Sequence, residues 1–520
     1  MSTQNSSQNT SDVEDDTYQE YLQELYHKLA YARNLLMLSD SKDNNQQPPT
    51  QHAMMQRSYV DQYGNIHQDF RDVFTSFEGR IILLGESGIG KTITLLTHAL
   101  EAIKARQQDP QQALPIFAKI AGWDSTNPDA DEAFLDCLIK DIDTELDKVA
   151  LTTELDSGHC ILFLDGLDGL SGERRDETTL FDPRSRFFAQ VPYKNQFVIT
   201  CRTADFNRIN YRIPLGGTLQ LRKLSDEQIK DYFQLTASPP QLWQLLQNYK
   251  NLLNIVRTPL ILRLFVLAYY DIPNAVNELI NLNQEPLRDL IIEHFIERRY
   301  HNCSESTSFT LNTIYEMLGL IAKHNALKYG SGLFATGQWG LVPLEDRTWG
   351  DYIVISDLPF GFFGEDISKS DEFLNLISQI QLIGRSKGDT YHFSHSLFRD
   401  FFVFKYCLPK SGSPDSYEIE ALARIRDSRT ISIFADIVRN HPDINFKVHA
   451  LKALMSLPFR ERIYMLVELF DEIDEADIQE RIGYYFKQLP DAYMSQAMQQ
   501  WLNDDPQAAR KAQHIWVNYI

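Results

Sequence analysis

The run Gly85-Glu86-Ser87-Gly88-Ile89-Gly90-Lys91-Thr92 concentrates more usable chemistry than any other stretch of the sequence. It fits Gly-x-x-x-x-Gly-Lys-[Ser/Thr] at every position, the pattern of a loop that cradles phosphate. Glycines tolerate positive φ, so successive backbone N–H groups can turn inward on an anion. Lys91 is then placed for the β- and γ-phosphates of a nucleotide, and the Thr92 hydroxyl for Mg²⁺. A magnesium site also needs a carboxylate at the end of a neighbouring strand. His159-Cys160-Ile161-Leu162-Phe163-Leu164-Asp165 supplies one, so Asp165 is expected to hold the metal directly or through water. Asp168, three residues on, is a candidate to orient an attacking water, although an Asp in a turn also serves simply to cap it. Arg202, in Thr200-Cys201-Arg202-Thr203, is a candidate γ-phosphate sensor, with a surface arginine as the alternative.

These residues need a scaffold, and from Arg80 short apolar runs alternate with helical stretches, which predicts a parallel α/β sheet. The expected strands are residues 81–84, 114–118, 161–164, 197–200 and 218–221. Several are continuous apolar runs, as strands buried on both faces should be. The stretch after the glycine-rich loop, with Ile93, Leu95, Leu96, Ala99, Leu100 and Ile103, reads as a helix whose positive N-terminal end faces the same anion. Ser225-Asp226-Glu227-Gln228 is a capping-box helix start. Upstream, Tyr21, Leu22, Leu25, Leu29, Leu35 and Leu36 fall at near-helical spacing. Residues 1–16, polar and without apolar period, are expected to be disordered, and 39–51 to form a linker.

The chain is helical from about Pro240 and mixed between residues 286 and 408. In the tail, Ile425, Leu457 and Leu489 recur 32 residues apart. Leu422 aligns with Leu454 and Phe486, and Pro458 aligns with Pro490. That period predicts helix hairpins that bury their faces by stacking, in the manner of HEAT-like repeats, against the alternative of ordinary helices with a chance period. The expected organisation is an N-terminal disordered or helical segment and linker (1–75), a nucleotide-binding core (76–236), a helical domain (237–285), a mixed region (286–410) and C-terminal helical repeats (411–520).

Composition narrows the partners. The 520 residues are 43% hydrophobic and 23% charged, normal for a cored protein long enough for several domains. A formal charge of −21 argues against broad nucleic-acid binding. Five scattered cysteines, without metal-ligand spacing, fit buried small hydrophobes in a reducing compartment. The polar N-terminus lacks a signal-peptide pattern, and the most apolar run, 260–270, carries Arg263 and reads as a core helix. A cytoplasmic protein without a membrane span is expected.

Taken together, the motifs resemble the NACHT class of STAND nucleoside triphosphatases, particularly the bacterial NLR-like proteins. The likeness rests on residues 82–92, on 114–117 leading to Gly122-Trp123, on 162–168 and on 198–203. It extends to Arg257-Thr258-Pro259-Leu260-Ile261-Leu262 and to residues 391–402, with His395 in Phe393-Ser394-His395. The resemblance covers roughly residues 80–408. It implies that Pro259 contacts the adenine side and that His395 meets the β-phosphate of ADP. Read as residues alone, Pro259 also suits the first position of a buried helix, and His395 also suits an aromatic core. Gly169 departs from the family, which commonly places Glu directly after the second Asp; slow hydrolysis, or cleavage carried by Asp168 alone, follows from that departure.

The expectation is therefore an ATP/ADP-controlled molecular switch with Mg²⁺, which assembles as a homo-oligomer on activation in signalling or antiphage defence. The ligand it senses and its effector are not specified by the sequence. A continuously working ATPase and a nucleotide-binding scaffold without hydrolysis stand as alternatives.

Overall fold

The structure is a computed structural model that describes residues 5–38, 55–120, 123, 129–139, 148–170, 183–206, 216–270, 279, 284–303, 307–328, 352–354, 367–385, 390–408, 414–425, 427–457, 461–488, 510, 513 and 515. The expected linker at 39–51, Gly122, Pro458, Leu489 and Pro490 lie outside the described residues.

All five expected strands form. The strands are β1 (Tyr59–Asp61), β2 (Ile66–His67), β3 (Arg80–Leu84), β4 (Leu114–Lys119), β5 (Cys160–Asp165), β6 (Gln196–Cys201), β7 (Gly217–Leu221), β8 (Tyr352–Val354), β9 (Ile383–Arg385) and β10 (Thr390–Phe393). The first seven make one sheet in the order β2-β1-β7-β3-β6-β5-β4. From β7 to β4 the pairings are parallel. Their residues are almost continuously buried, as expected when helices cover both faces.

Register brings the chemistry to one edge. Leu84 pairs with Cys201, and Leu164 pairs with Ile199, so β3, β6 and β5 end close together. Gly85, Arg202 and Asp165 therefore emerge side by side, with β6 inserted between the strand that feeds the glycine-rich loop and the strand that ends in Asp165.

Two strands of this sheet were not anticipated. β1 and β2 form an antiparallel hairpin, and β1 pairs antiparallel with β7, which makes the sheet mixed. They are too short to show a periodic pattern. Their turn is specified by polar chemistry instead: Asp61 accepts from the backbone N–H groups of Tyr63 and Asn65, each at 2.9 Å, and Gly64 takes φ +88°.

The first helix, Asn5–Leu36, begins well before the expected point. Residues 5–16 are helical rather than disordered. Nucleation is the costly step of helix formation, and the docked part of the helix supplies it, so extension into this stretch, which lacks Gly and Pro, needs no new nucleus. Tyr21, Leu22, Leu25 and Leu29 are buried in the same core as the sheet. The Tyr21 hydroxyl donates to the Pro115 carbonyl at 2.9 Å, and the helix packs on helix Lys91–Gln108. Burying each leucine stabilises the docked helix by about 1.5–3 kcal/mol.

Helix Pro259–Tyr269 is buried from Leu260 to Tyr269, Arg263 included, which bears out its reading as a core helix. Among the described residues no single helix is long and apolar enough to cross a membrane. In the same unit β9 and β10 pair antiparallel, with His392 opposite Gly384.

The described residues pack into two compact units. One draws on 1–308, 331–352 and 366–397, the other on 309–330, 353–365 and 398–520. Segment 286–410 thus contributes to both. Apart from residues 353–354 of β8, the elements of the second unit are helices in its described parts. Helix Ser416–Ile425 packs on Ile444–Ser456, which packs on Ala476–Gln488, while Thr430–Asn440 packs on Glu461–Glu472. Leu422, Leu454 and Phe486, the residues 32 apart, are all fully buried in successive members of that series.

Candidate nucleotide and metal site

The glycine-rich loop leaves β3 and enters helix Lys91–Gln108. Gly88 and Gly90 adopt φ +74° and +103°, conformations that side-chain-bearing residues rarely reach. Gly85 is required for a different reason: a Cβ there would stand 2.7 Å from Ile89 Cγ2. Gly90 caps the helix without a side-chain hydrogen bond, so the helix presents backbone N–H groups and the positive end of its dipole at the loop.

Lys91 Nζ donates to the carbonyls of Gly85 at 2.8 Å and Glu86 at 3.1 Å. Burial holds its ammonium below its ordinary pKa, with the Asp168 and Asp165 carboxylates opposing that shift. Thr92 Oγ1 lies 3.1 Å from both carboxylate oxygens of Asp165. Adjacent ligands of an octahedral Mg²⁺ with bonds of 2.0–2.1 Å are about 2.9 Å apart, so this spacing suits one cation shared by both residues. Burial pushes the Asp165 carboxyl above its usual range, while hydrogen bonds from Thr200 and Thr92 pull it back.

Thr200 was not anticipated as a site residue. Fully buried on β6, it donates to Asp165 Oδ1 at 2.6 Å and accepts from Gly166 N–H at 2.7 Å. It fixes both the carboxylate and the left-handed turn at Gly166, which has φ +84°. The legible signal is a hydroxyl residue at the end of the strand that precedes Arg202.

Asp168 sits in the 3-10 turn Leu167–Gly169. Its Oδ2 accepts from Arg202 Nε at 2.9 Å, and its Oδ1 accepts from the Arg202 backbone N–H at 3.2 Å. The two catalytic candidates are therefore joined to each other, beside Asp165. Both oxygens of the Asp168 carboxylate are thus engaged by Arg202.

Thr258, Pro259 and Leu260 lie on the loop. A Cβ built on Gly88 would meet Thr258 Cγ2 at 3.2 Å and Leu260 Cβ at 3.5 Å, and Leu260 N–H points at the Gly88 carbonyl at 3.4 Å. Pro259 occupies the first position of its helix, as the reading from the residues alone requires. Beside the loop opens a cavity of about 540 Å³, lined by Ser58, Val60, Glu86, Ile89, Lys223 and Thr258 among others. Arg57 ties its wall together, with Nη2 donating to the carbonyls of Ile89 at 2.9 Å and Arg222 at 2.8 Å. Residues 57–60 lead into and begin the unanticipated hairpin, and carried no signal in the sequence.

His395 makes a different contact. Its Nε2 lies 2.7 Å from the Leu36 carbonyl at the end of the first helix. A carbonyl only accepts, so Nε2 carries the proton. Burial, reinforced by the nearby Arg263 guanidinium, brings the imidazole down to about 4, and it is neutral at physiological pH.

The arrangement could hold a phosphate in the glycine-rich loop and a cation between Thr92 and Asp165, with the Asp168 and Arg202 pair beside them. The chain matches no protein-family model, and no curated protein matches it significantly.

Proposed function

We infer that the chain is a P-loop nucleoside triphosphatase of the NACHT type, a switch that binds Mg-ATP and ADP at residues 85–92. The observation that carries this reading is the convergence of Lys91, Thr92, Asp165 and Arg202 at the ends of three adjacent strands, around a loop whose backbone is open to an anion. The cavity beside Ile89 is large enough for a nucleobase, and Thr258 lines it. In this reading residues 237–285 form the helical domain, β9 and β10 belong to a winged-helix-like region, and the stacked C-terminal helices are HEAT-like repeats that act as the sensor. Nucleotide shifts such a switch only by its differential affinity for two states. Assembly into a homo-oligomer, and a role in signalling or antiphage defence, follow from the resemblance.

The decisive test is nucleotide binding by the full chain. Lys91→Ala should abolish ATP binding with the fold retained, and Asp165→Asn should weaken Mg-ATP far more than metal-free ADP. Parent-like ATP affinity in Lys91→Ala would sink the site assignment. A second reading, binding without cleavage, is favoured by the engagement of Asp168 with Arg202 and by Gly169. Single-turnover ATP cleavage separates the two.

A further inference from the structure

The end of the first helix is held by side chains from several separate elements. The last carbonyls of a helix have no partners within it. Here the Leu36 carbonyl accepts from His395, and the Met37 carbonyl accepts from Arg263 on helix Pro259–Tyr269. Arg299, on helix Gln284–Cys303, reaches the Leu38 carbonyl at 3.5 Å and Gln381 Oε1 at 3.1 Å. Basic groups around a helix C-terminus also complement its negative dipole end. Leu38 itself turns left-handed, with φ +51°. Leu35 fills the space over Gly384 on β9, where a Cβ would stand 2.1 Å from Leu35 Cδ2. The socket thus specifies its occupant by both shape and hydrogen bonding.

We propose that residues 35–38 are a latch on the nucleotide site, and that Arg263 and His395 are positioning residues that act on bound nucleotide through it. The connector is helix Pro259–Tyr269. Its first turn lies on Gly88 of the glycine-rich loop, and Arg263, one turn further along, holds Met37. A docked latch fixes that helix against the loop; an undocked one leaves the loop less well covered. Only the last turn needs to move, because Tyr21, Leu22, Leu25 and Leu29 keep the middle of the helix in the core. The proposal rests on residues 85–92 binding nucleotide. It differs from the role implied for His395 by resemblance, since the proton of Nε2 is committed to Leu36.

The test uses Gly384→Val in the full chain, with two readouts: release of a fluorescent ADP analogue, and hydrogen exchange of the Met37 and Leu38 amides. Forcing Leu35 out should speed exchange and accelerate ADP release by about five- to a hundredfold, the usual range of coupling between sites. The double variant Gly384→Val with Leu35→Ala, which returns the lost volume from the other side, should restore both. Faster exchange with parent-like ADP release would overturn the latch, and so would exchange that stays slow. If Gly384→Val does not fold, Leu35→Ala alone should shift both readouts in the same direction, and the absence of a shift is then the refutation. A parent protein that binds no ADP would instead overturn the nucleotide reading itself.

Discussion

Replacing Thr200 with valine tests whether Asp165 is held for a metal. The exchange keeps shape and removes two hydrogen bonds, the 2.6 Å bond to Asp165 and the 2.7 Å bond from Gly166 N–H. Hydrogen bonds to a charged group contribute about 1.5–3 kcal/mol, and each 1.4 kcal/mol is a factor of about ten in an equilibrium constant. The carboxylate would lose that support and sit still further above its usual pKa, since burial already pushes it up. Mg²⁺ requires the deprotonated form, so its affinity should fall by about ten- to a hundredfold, in line with other residues that orient metal ligands. The orphaned Gly166 N–H should also lower stability by about 1–3 kcal/mol. The assay is a Mg²⁺ titration at fixed ATP, repeated across pH. The loss should grow as pH falls, because more of the variant's Asp165 is protonated. Metal-free ADP binding should be nearly unchanged, and Thr200→Ser, which keeps the hydroxyl, should recover most of the affinity. A stably folded Thr200→Val with parent-like Mg²⁺ dependence would refute the reasoning; failure of serine to rescue would do the same.

Further outcomes follow from individual contacts. Asp168→Asn should spare nucleotide binding and slow single-turnover cleavage about tenfold or more by removing the carboxylate that would orient water; cleavage at the parent rate would remove Asp168 from the chemistry. His395 has a pKa lowered from 6.5 to about 4, so the unfolded chain binds the extra proton and stability should fall as pH drops from about 6.5 towards 4. In thermal melts across that window, His395→Gln, which can still donate to Leu36 but does not titrate there, should show a flatter profile than the parent.

The loop and the strands were legible because local rules dictate them. Glycine spacing, an apolar run ending in an acid and a capping box each act within a few residues, and the capping box at Ser225 and Gln228 forms as written. The sheet order was out of reach: nothing local says that β6 slides between β3 and β5, yet that insertion is what brings Arg202 onto Asp168. Thr200 was hidden for the same reason, since a threonine near a strand end gains its meaning only from the neighbouring strand. The hairpin at residues 59–67 carries too few apolar residues for a period. The latch was hidden most completely, because Leu36 and His395 lie in distant parts of the sequence and each has an ordinary local reading.

If residues 85–92 bind nucleotide as proposed, the present partners of the site bear on whether cleavage would be fast or slow. Lys91 donates to carbonyls of its own loop, Thr92 to Asp165, and Asp168 accepts from Arg202. Each of these bonds involves a group that Mg-nucleotide would claim, so binding exchanges one set of hydrogen bonds for another with little rearrangement of the backbone. That favours a site ready to bind. Cleavage is a different matter. A continuously working enzyme needs a base free to orient water, and here the nearest candidate carboxylate is engaged twice by Arg202, while Gly169 offers no second one. Freeing Oδ2 of Asp168 requires the Arg202 side chain to turn towards phosphate, which a nucleotide with a γ-phosphate would reward. The same pair would therefore distinguish ATP from ADP while keeping turnover slow, a balance suited to a switch rather than to a motor.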